Sequence, residues 1–474
     1  MWHNATMRVV LISTYELGRQ PFGLASPAAW LRRAGADVIA LDVSRQSLDP
    51  GAVATADVVA FFLPMHTATR LALPVIARVR ALNPVARLCA FGLYAPPNRA
   101  LLLEHGITAT FGAEIEADLV AFVAAGTRPG ACGGPGGPEV LADWPSRGGA
   151  AAGPGPIARL EFITPDRTGL PPLERYAMLQ EPDGRRVVGY TESSRGCKHL
   201  CRHCPVVPIY GGQFRIVPAD VVMADIRNQV AAGATHITFG DPDFFNGPSH
   251  ALTIVDALHA EFPLLTYDAT IKVEHLLRHA SVLARLRATG CLFVTSAVES
   301  VDDALLARLE KGHAAGDISR AVALCRQADL ALVPTFVPFT PWTTLGGYVA
   351  LLQTVADLDL VDCVAPVQYA IRLLIPGGSR LLDLPDAGAI IGDFDPAALA
   401  YPWTHEDPRV DALQREVAAI VGRGLSADRR AVFEQVWEHA LEYAGRRTVQ
   451  TPACESRSGS RRPPVPYLNE PWYC

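Results

Sequence analysis

The sequence predicts an α/β chain in three parts. An open parallel sheet covered on both faces comes first, then a partial (β/α)6 barrel, then a helical extension. Three observations carry this. Continuous apolar strands alternate with helical patterns from residue 7 to 125. A Gly/Pro-rich stretch without periodicity then interrupts the chain, and a second strand–helix alternation begins near residue 189.

In the first part Arg8–Tyr15 (RVVLISTY), Asp37–Val43, Asp57–Pro64 and Arg87–Leu93 read as buried strands, with Thr110-Phe111-Gly112 as a short last one. Ala25–Ala34, Leu73–Leu82 and Glu114–Ala125 read as helices between and after them. Unbroken apolar strands are expected where helices cover both faces of a parallel sheet, so residues 1–125 are assigned a Rossmann-like domain. Residues 126–156 (GTRPGACGGPGGPEVLADWPSRGGAAAGPGP) form a linker in which Gly and Pro dominate.

Residues 157–382 are assigned the barrel. Its strands are expected at Tyr190–Ser194, His236–Gly240, Leu265–Val273, Cys291–Ala297, Ala331–Pro338 and Val364–Ile371. Six units are too few for a closed eightfold barrel, which gives the partial (β/α)6 form. Residues 383–474 are a less regular extension with helices at Asp407–Gly422 and Ala427–Tyr443 and an Arg/Pro-rich tail.

Composition narrows the function. Hydrophobic residues make up 49% and charged residues 19%, which excludes a disordered chain. Lys+Arg 42 against Asp+Glu 48 gives −6, so no basic excess exists to grip nucleic acid. No apolar run reaches the length of a membrane helix, and the start shows no secretory leader, so a cytoplasmic protein with no membrane partner is expected. The positive charge is nearly all arginine; the lysines are Lys198, Lys272 and Lys311.

Of the 10 cysteines, Cys197, Cys201 and Cys204 crowd into eight residues: Ser194-Arg195-Gly196-Cys197-Lys198-His199-Leu200-Cys201-Arg202-His203-Cys204-Pro205. This Cys-x3-Cys-x2-Cys loop follows the first barrel strand and can aim three thiolates at one centre. Thiolates suit an iron–sulfur cluster or zinc. A structural zinc site takes four protein ligands, whereas a cluster on three cysteines leaves one iron open. A zinc site with a distant fourth ligand, or three unrelated thiols, are the competing readings.

This loop resembles that of the radical S-adenosylmethionine (SAM) superfamily, over roughly residues 189–376. His203 stands where the family usually has an aromatic residue. Two further segments agree. Phe239-Gly240-Asp241-Pro242-Asp243-Phe244-Phe245-Asn246 occupies the place of the family's Gly-Gly-Glu motif, and Val298-Glu299-Ser300 resembles the pair that contacts the ribose and carboxylate of SAM. The resemblance implies a [4Fe–4S] cluster on Cys197, Cys201 and Cys204, and SAM bound by Gly240, Asp241, Asp243, Glu299 and Ser300. It also implies an electron donor such as flavodoxin or ferredoxin, and a 5′-deoxyadenosyl radical acting on an unidentified substrate. The Glu-Ser pair competes with a plain helix N-cap, and Lys311-Gly312-His313 reads as a charged helix end and turn.

The first domain and its join to the barrel resemble the cobalamin-binding domains of radical SAM proteins. The loop Thr14–Gly23 lacks the Asp-x-His-x-x-Gly that would supply histidine to cobalt, so cobalamin, where bound, has no protein nitrogen from this loop. His66 reads as a surface or capping histidine. Tyr15-Glu16-Leu17-Gly18, Leu24-Ala25-Ser26-Pro27, Pro165-Asp166-Arg167, Asp241–Asn246 and Glu470-Pro471-Trp472-Tyr473-Cys474 together resemble radical SAM proteins with a Cys-Sec-Ala-Glu-Pro or Cys-Cys-Ala-Glu-Pro tail. The chain stops at the first cysteine of that tail, which predicts a UGA codon after Cys474 and a redox role for that thiol.

Three functions remain in play. The first is a radical SAM enzyme, including a cobalamin-dependent methyltransferase. The second is a non-enzymatic iron–sulfur redox protein. The third is an RNA-modifying methylthiotransferase, which would need three more cysteines in the first domain; only Cys89 and Cys132 precede the barrel.

Overall fold

A computed structural model describes residues 6–125, 157, 159–181, 184–424 and 428–446, and the backbone of 467–468. The expected linker at 126–156 and Cys474 lie outside the described residues.

The first sheet comprises β1 (Arg8–Ser13), β2 (Asp37–Asp42), β3 (Val58–Phe62), β4 (Arg87–Phe91) and β5 (Ala109–Phe111), all parallel, in the order β2-β1-β3-β4-β5. This is the flavodoxin-like doubly wound order, whose switch point lies between β1 and β3. Helices α1 (Phe22–Arg33), α2 (Pro50–Ala54), α3 (His66–Leu82), α4 (Arg99–Glu104) and α5 (Glu116–Ala125) connect the strands and cover the sheet. The apolar runs explain the double cover. Val10, Ile12, Val59, Phe61, Leu88 and Ala90 enter one core, while Val9, Leu11, Val58, Ala60, Cys89 and Phe91 enter the core on the opposite face. Residues of a strand alternate between faces, so a continuous apolar strand feeds both. α2 starts where the sequence asks it to: the Asp49 side chain accepts from the amides of Gly51 and Ala52, with Pro50 at the first position.

A hairpin of β6 (Leu179–Glu181) and β7 (Gly184–Arg186) leads into the barrel strand β8 (Val188–Thr191). A short ribbon follows: β9 (Ser194–Gly196) pairs antiparallel with β10 (Phe214–Ile216) and clasps the cysteine loop. Helix α6 (Val206–Tyr210) lies within that loop. After α7 (Ala219–Ala231) come β11 (His236–Phe239), α8 (Pro248–Glu261), β12 (Thr266–Thr270), α9 (Val273–Arg278), α10 (Leu283–Ala288) and β13 (Cys291–Glu299). Next are α11 (Asp303–Arg308), α12 (Ala315–Gln327), β14 (Ala331–Phe336) and α13 (Leu345–Asp357). The barrel sheet is parallel, in the order β14-β13-β12-β11-β8.

The expected sixth strand is corrected. Val364–Ile371 contains a 3-10 turn at Pro366–Tyr369, and the sixth unit is reduced to one parallel bridge, Phe339 with Arg372. Pro366 lacks the amide that a ladder needs. The run is apolar because it is buried: Val364 and Tyr369 share one core with the barrel helices and with α15 (Pro408–Arg423) and α16 (Arg429–Tyr443), which follow the short α14 (Ala387–Ile390). The C-terminal helices thus close the side where a sixth strand would lie. Arg372 is a tie to this extension: it reaches Asp411 at 2.6 Å and the Trp403 carbonyl at 2.7 Å, and its guanidinium covers the Trp403 ring.

A last strand, β15 (Tyr467–Leu468), adds antiparallel to β6. Leu179 of β6 packs with Val188 and Phe293 at the amino ends of β8 and β13, so this three-stranded patch lies at the end of the barrel opposite the cysteine loop.

Candidate functional site

The cysteine loop leaves the carboxyl end of the barrel, where (β/α) folds build their sites. Gly196 makes the exit. Its φ is +74°, and a Cβ there would lie 2.3 Å from the Tyr210 ring and 2.5 Å from the Gln213 carbonyl. Distant segments then fix the loop. Asn246 donates from Nδ2 to the Gly196 carbonyl at 3.1 Å and accepts the Lys198 amide at 3.3 Å. The Arg202 amide bonds the Leu309 carbonyl, its guanidinium reaches Glu310 at 2.7 Å, and Arg380 donates to the Leu200 carbonyl at 2.6 Å.

Cys197 and Cys201 are buried, and Cys204 is half-buried. Burial pushes the Cys197 thiol up to about 12 and the Cys204 thiol up to about 11, so an apo thiol here stays protonated and metal binding must displace the proton. All three lysines of the chain meet this loop. Lys198 belongs to it, Lys272 Nζ lies 3.9 Å from Cys201 Sγ, and Lys311 faces Cys201 and Cys204. Concentrated positive charge is what a group carrying several thiolates requires.

Glu299 stands over the same end of the barrel. It ends β13 where the pairing with β14 shifts register, and its φ is +67°, an unfavourable conformation for a non-glycine residue that the surrounding structure must hold. Its Oε1 lies 3.1 Å from Lys311 Nζ and 3.1 Å from His203 Nε2. Burial alone would raise its pKa; the Lys311 charge and His203 hold it well below the usual carboxylate range instead. Lys311 is therefore not the exposed helix end that its Lys-Gly-His context suggests: it is 3% exposed and paired with Glu299. Ser300 is buried, and its Oγ accepts the Asp302 amide. The N-cap of α11 is Asp302, which accepts from Ala304 and Leu305, so Glu299 is released from capping.

The Phe239–Asn246 turn faces the cysteine loop with divided roles. Gly240 packs under Tyr190: a Cβ there would sit 1.9 Å from its hydroxyl oxygen. Asp241 accepts the Ser193 amide at 2.9 Å and the hydroxyls of Ser193 and Ser194 at 2.7 and 2.6 Å. Burial lifts its pKa to about 6 against those bonds. Asp243 turns toward His199 and His275. Its first oxygen accepts the Phe245 amide at 3.2 Å. Lys272, expected on a strand, follows β12 and precedes α9, where its ammonium reaches the cysteines.

The first domain closes over the loop. Leu93 and Ala113, from the turns after β4 and β5, pack with Cys197, Cys204, Val206 and Ile209. Arg195 spans the join, reaching Glu116 at 2.7 Å, Glu192 at 3.1 Å and Glu114 at 3.6 Å. His66, the first residue of α3, points Nε2 at the Ala398 carbonyl at 2.5 Å. Cys89 is fully buried in β4. A cavity of about 1040 Å³ opens elsewhere, between residues 43–48 at the end of β2 and residues 169–172. Among the described residues it is lined by arginines and prolines without a thiol, so its size does not make it the chemical centre.

His199 and His275 are not singled out by the sequence, while His203 stands out there only as a substitute for an aromatic residue and Lys311 only as a helix end. For Lys311 the advance signal was the rarity of lysine; the histidines had none, since each partner comes from a separate segment.

Comparison with known proteins agrees with this geometry. Residues 191–343 match the family model described as the Radical SAM superfamily. Among curated proteins, tRNA-2-methylthio-N(6)-dimethylallyladenosine synthase of Chlorobium limicola is 26% identical over 184 residues, covering 38% of this chain and 40% of that protein. Hopanoid C-3 methylase of Methylococcus capsulatus is 24% identical over 151 residues, 32% of this chain and 29% of that protein. The match thus spans less than half the length of these relatives. Among solved structures, the cobalamin-dependent SAM radical enzyme OxsB with aqua-cobalamin and SAM bound superposes with a TM-score of 0.66 over 92% of this chain and 72% of that one, at 12% identity. The radical SAM methyltransferase TsrM of Kitasatospora setae, with cobalamin and a [4Fe–4S] cluster, gives 0.55 over 75% and 71%, at 19% identity. At these identities the likeness is one of fold. The segment 191–343, which holds the cysteine loop, Glu299 and Lys311, is a radical SAM superfamily domain.

Proposed function

We propose that this chain is a radical SAM enzyme in which Cys197, Cys201 and Cys204 hold a [4Fe–4S] cluster. The carrying observation is three thiols on one clasped loop, met by every lysine of the chain. The spacing of the donors also supports it. Two thiolates on one zinc ion lie about 3.8 Å apart. Among the described residues, the trio whose ligand atoms lie within 4.8 Å of one another is His199, Asp243 and His275, not the cysteines. A wider thiol triangle suits a cluster better than a single ion.

When bound, the cluster supplies the electron that cleaves SAM reductively. The protein's own contribution is positional. Glu299, kept ionised by Lys311 and His203, offers a carboxylate for the ribose hydroxyls, and Ser300 lies beside it. The backbone at Gly240 would offer its polar groups to the SAM amino group, as the family resemblance implies. Asp241 and Asp243 act by holding Ser193–Ser194 and the turn itself. Packing of Leu93 and Ala113 over the loop keeps water from the reacting groups. A substrate and an electron donor of the flavodoxin or ferredoxin kind complete the reaction.

The cobalamin-dependent methyltransferase is the second reading, favoured by the fold of the first domain. Cobalamin there would have no protein imidazole, since the Thr14–Gly23 loop has none and His66 is engaged with Ala398. The methylthiotransferase reading is disfavoured because Cys89 is sealed in β4. We also propose the finer kinship with the Cys-Sec-Ala-Glu-Pro proteins; genomic DNA reading UGA and then Ala-Glu-Pro after Cys474 would support it, and another stop codon would refute it. The site itself is tested by anaerobic reconstitution with iron counting. The intact protein should hold four irons, and Cys201→Ala should lose them.

A further inference from the structure

Beside the cysteine loop lies a second donor set that cluster binding leaves unused. Asp243 is fully buried at the turn after β11, and its first oxygen is satisfied by the Phe245 amide, with the Lys272 amide 3.4 Å away. Its second oxygen lies 2.6 Å from Nδ1 of His275 on α9 and 3.4 Å from Nε2 of His199 in the cysteine loop. Yet none of these atoms makes a hydrogen bond of acceptable angle. Asp243 Oδ2, His199 Nε2 and both ring nitrogens of His275 are buried without a partner. The atoms are close but not aimed at one another. One atom from each residue falls within a common 4.8 Å sphere of separation. Donors 2.0–2.1 Å from one tetrahedral ion lie about 3.3 Å apart, a value between the 2.6 Å contact and the 4.8 Å limit found here, so small side-chain shifts bring all three onto one ion. A buried carboxylate, the buried His275 ring and the buried Nε2 of the half-buried His199, all left without a partner, would be costly unless something joins them.

We propose that His199, Asp243 and His275 bind a divalent first-row metal ion of the zinc class, separate from the group held by the cysteines. Two imidazoles and one carboxylate form a nitrogen–oxygen set, distinct in chemistry from the thiols. Glu274 borders the set: its Oε2 lies 3.8 Å from His199 Nδ1 and 3.7 Å from Lys272 Nζ, while its other oxygen takes Arg278 at 2.7 Å. The fourth position is thereby left to water or a small ligand. The ion would fasten the cysteine loop, through His199 between Cys197 and Cys201, to the β11 turn and to α9.

The test uses the full chain, anaerobically reconstituted so that iron occupies the thiols, then freed of other metals with a weak chelator and titrated with Co2+. The expected result is about one equivalent of cobalt with visible d–d bands and no sulfur-to-cobalt charge transfer. His275→Ala should lose that cobalt and keep its four irons. Cobalt uptake equal in His275→Ala and the parent protein, or a sulfur charge-transfer band, overturns the proposal. If His275→Ala does not fold, zinc-edge X-ray absorption on the parent protein loaded with Zn2+ decides. A nitrogen/oxygen shell with imidazole scattering supports the site; sulfur in the shell, or no retained zinc, refutes it. Iron counting is independent of the cobalt readout, so failure here does not touch the cluster.

Discussion

Replacing Arg195 with methionine should destabilise the chain in a way that depends on pH. Arg195 is 11% exposed and meets three carboxylates at once: Glu116, 2% exposed, Glu114, 2% exposed, and Glu192, 22% exposed. Its Nη2 also donates to Ser26 at 2.9 Å, and Ser26 in turn donates to Glu116 at 2.6 Å. Methionine keeps most of the volume and removes the charge, leaving two deeply buried carboxylates unpaired. Breaking a buried ion pair from one side costs about 3–5 kcal/mol. The sign of the pH dependence follows from the carboxyls. Burial raises Glu114 and pushes Glu192 up to about 7, with Arg195 opposing both. A carboxyl whose folded-state pKa lies above its unfolded value contributes stability that is fully present below the unfolded pKa and is lost as pH rises to and through the folded one. Without Arg195 the folded pKa values climb further, so the deficit is largest above pH 7 and shrinks toward pH 5.5. Urea unfolding of parent and variant at pH 8 and pH 5.5 measures it. A loss below about 1 kcal/mol at pH 8, typical of a surface pair, would refute the reasoning, as would an equal loss at both pH values.

Other expectations follow the same contacts. Gly196→Ala should lose iron and about 2–5 kcal/mol of stability, from a non-glycine residue at positive φ and from overlap with Tyr210; iron counting and thermal unfolding check it. Glu299→Gln should weaken SAM binding about tenfold or more, the loss of a charge-assisted hydrogen bond, while four irons remain; calorimetric titration with SAM measures it, and iron loss would make Glu299 structural. Cobalamin, if taken up, should show a spectrum without protein imidazole on cobalt, unchanged by His66→Ala, because that ring is held by Ala398.

Part of this was legible in the sequence. The thiol triad is contiguous, so its spacing alone announces a shared centre. The first domain's strands were legible because each runs apolar on both faces. Glu299's partners were not, because His203, Lys311 and Glu299 come from three segments that only the barrel brings together. Lys-Gly after a helix is the local signature of an exposed helix end, and tertiary burial overrode it at Lys311. The sixth strand was misread for the same kind of reason. Val364–Ile371 is apolar enough for a strand, but the apolarity serves packing against α15 and α16, and Pro366 bars the ladder. Asp241 looked like a ligand residue by its place in the motif; its three hydrogen bonds to Ser193 and Ser194 are invisible without the fold.

In the proposed function the thiol triad and Glu299 together serve the reductive cleavage of SAM. Its most direct test is anaerobic incubation of the reconstituted protein with SAM and a strong one-electron reductant, with products separated by chromatography. The expected products are 5′-deoxyadenosine and methionine, dependent on reductant and absent in Cys201→Ala. S-adenosylhomocysteine as the sole product, or 5′-deoxyadenosine formed equally by Cys201→Ala, would contradict it.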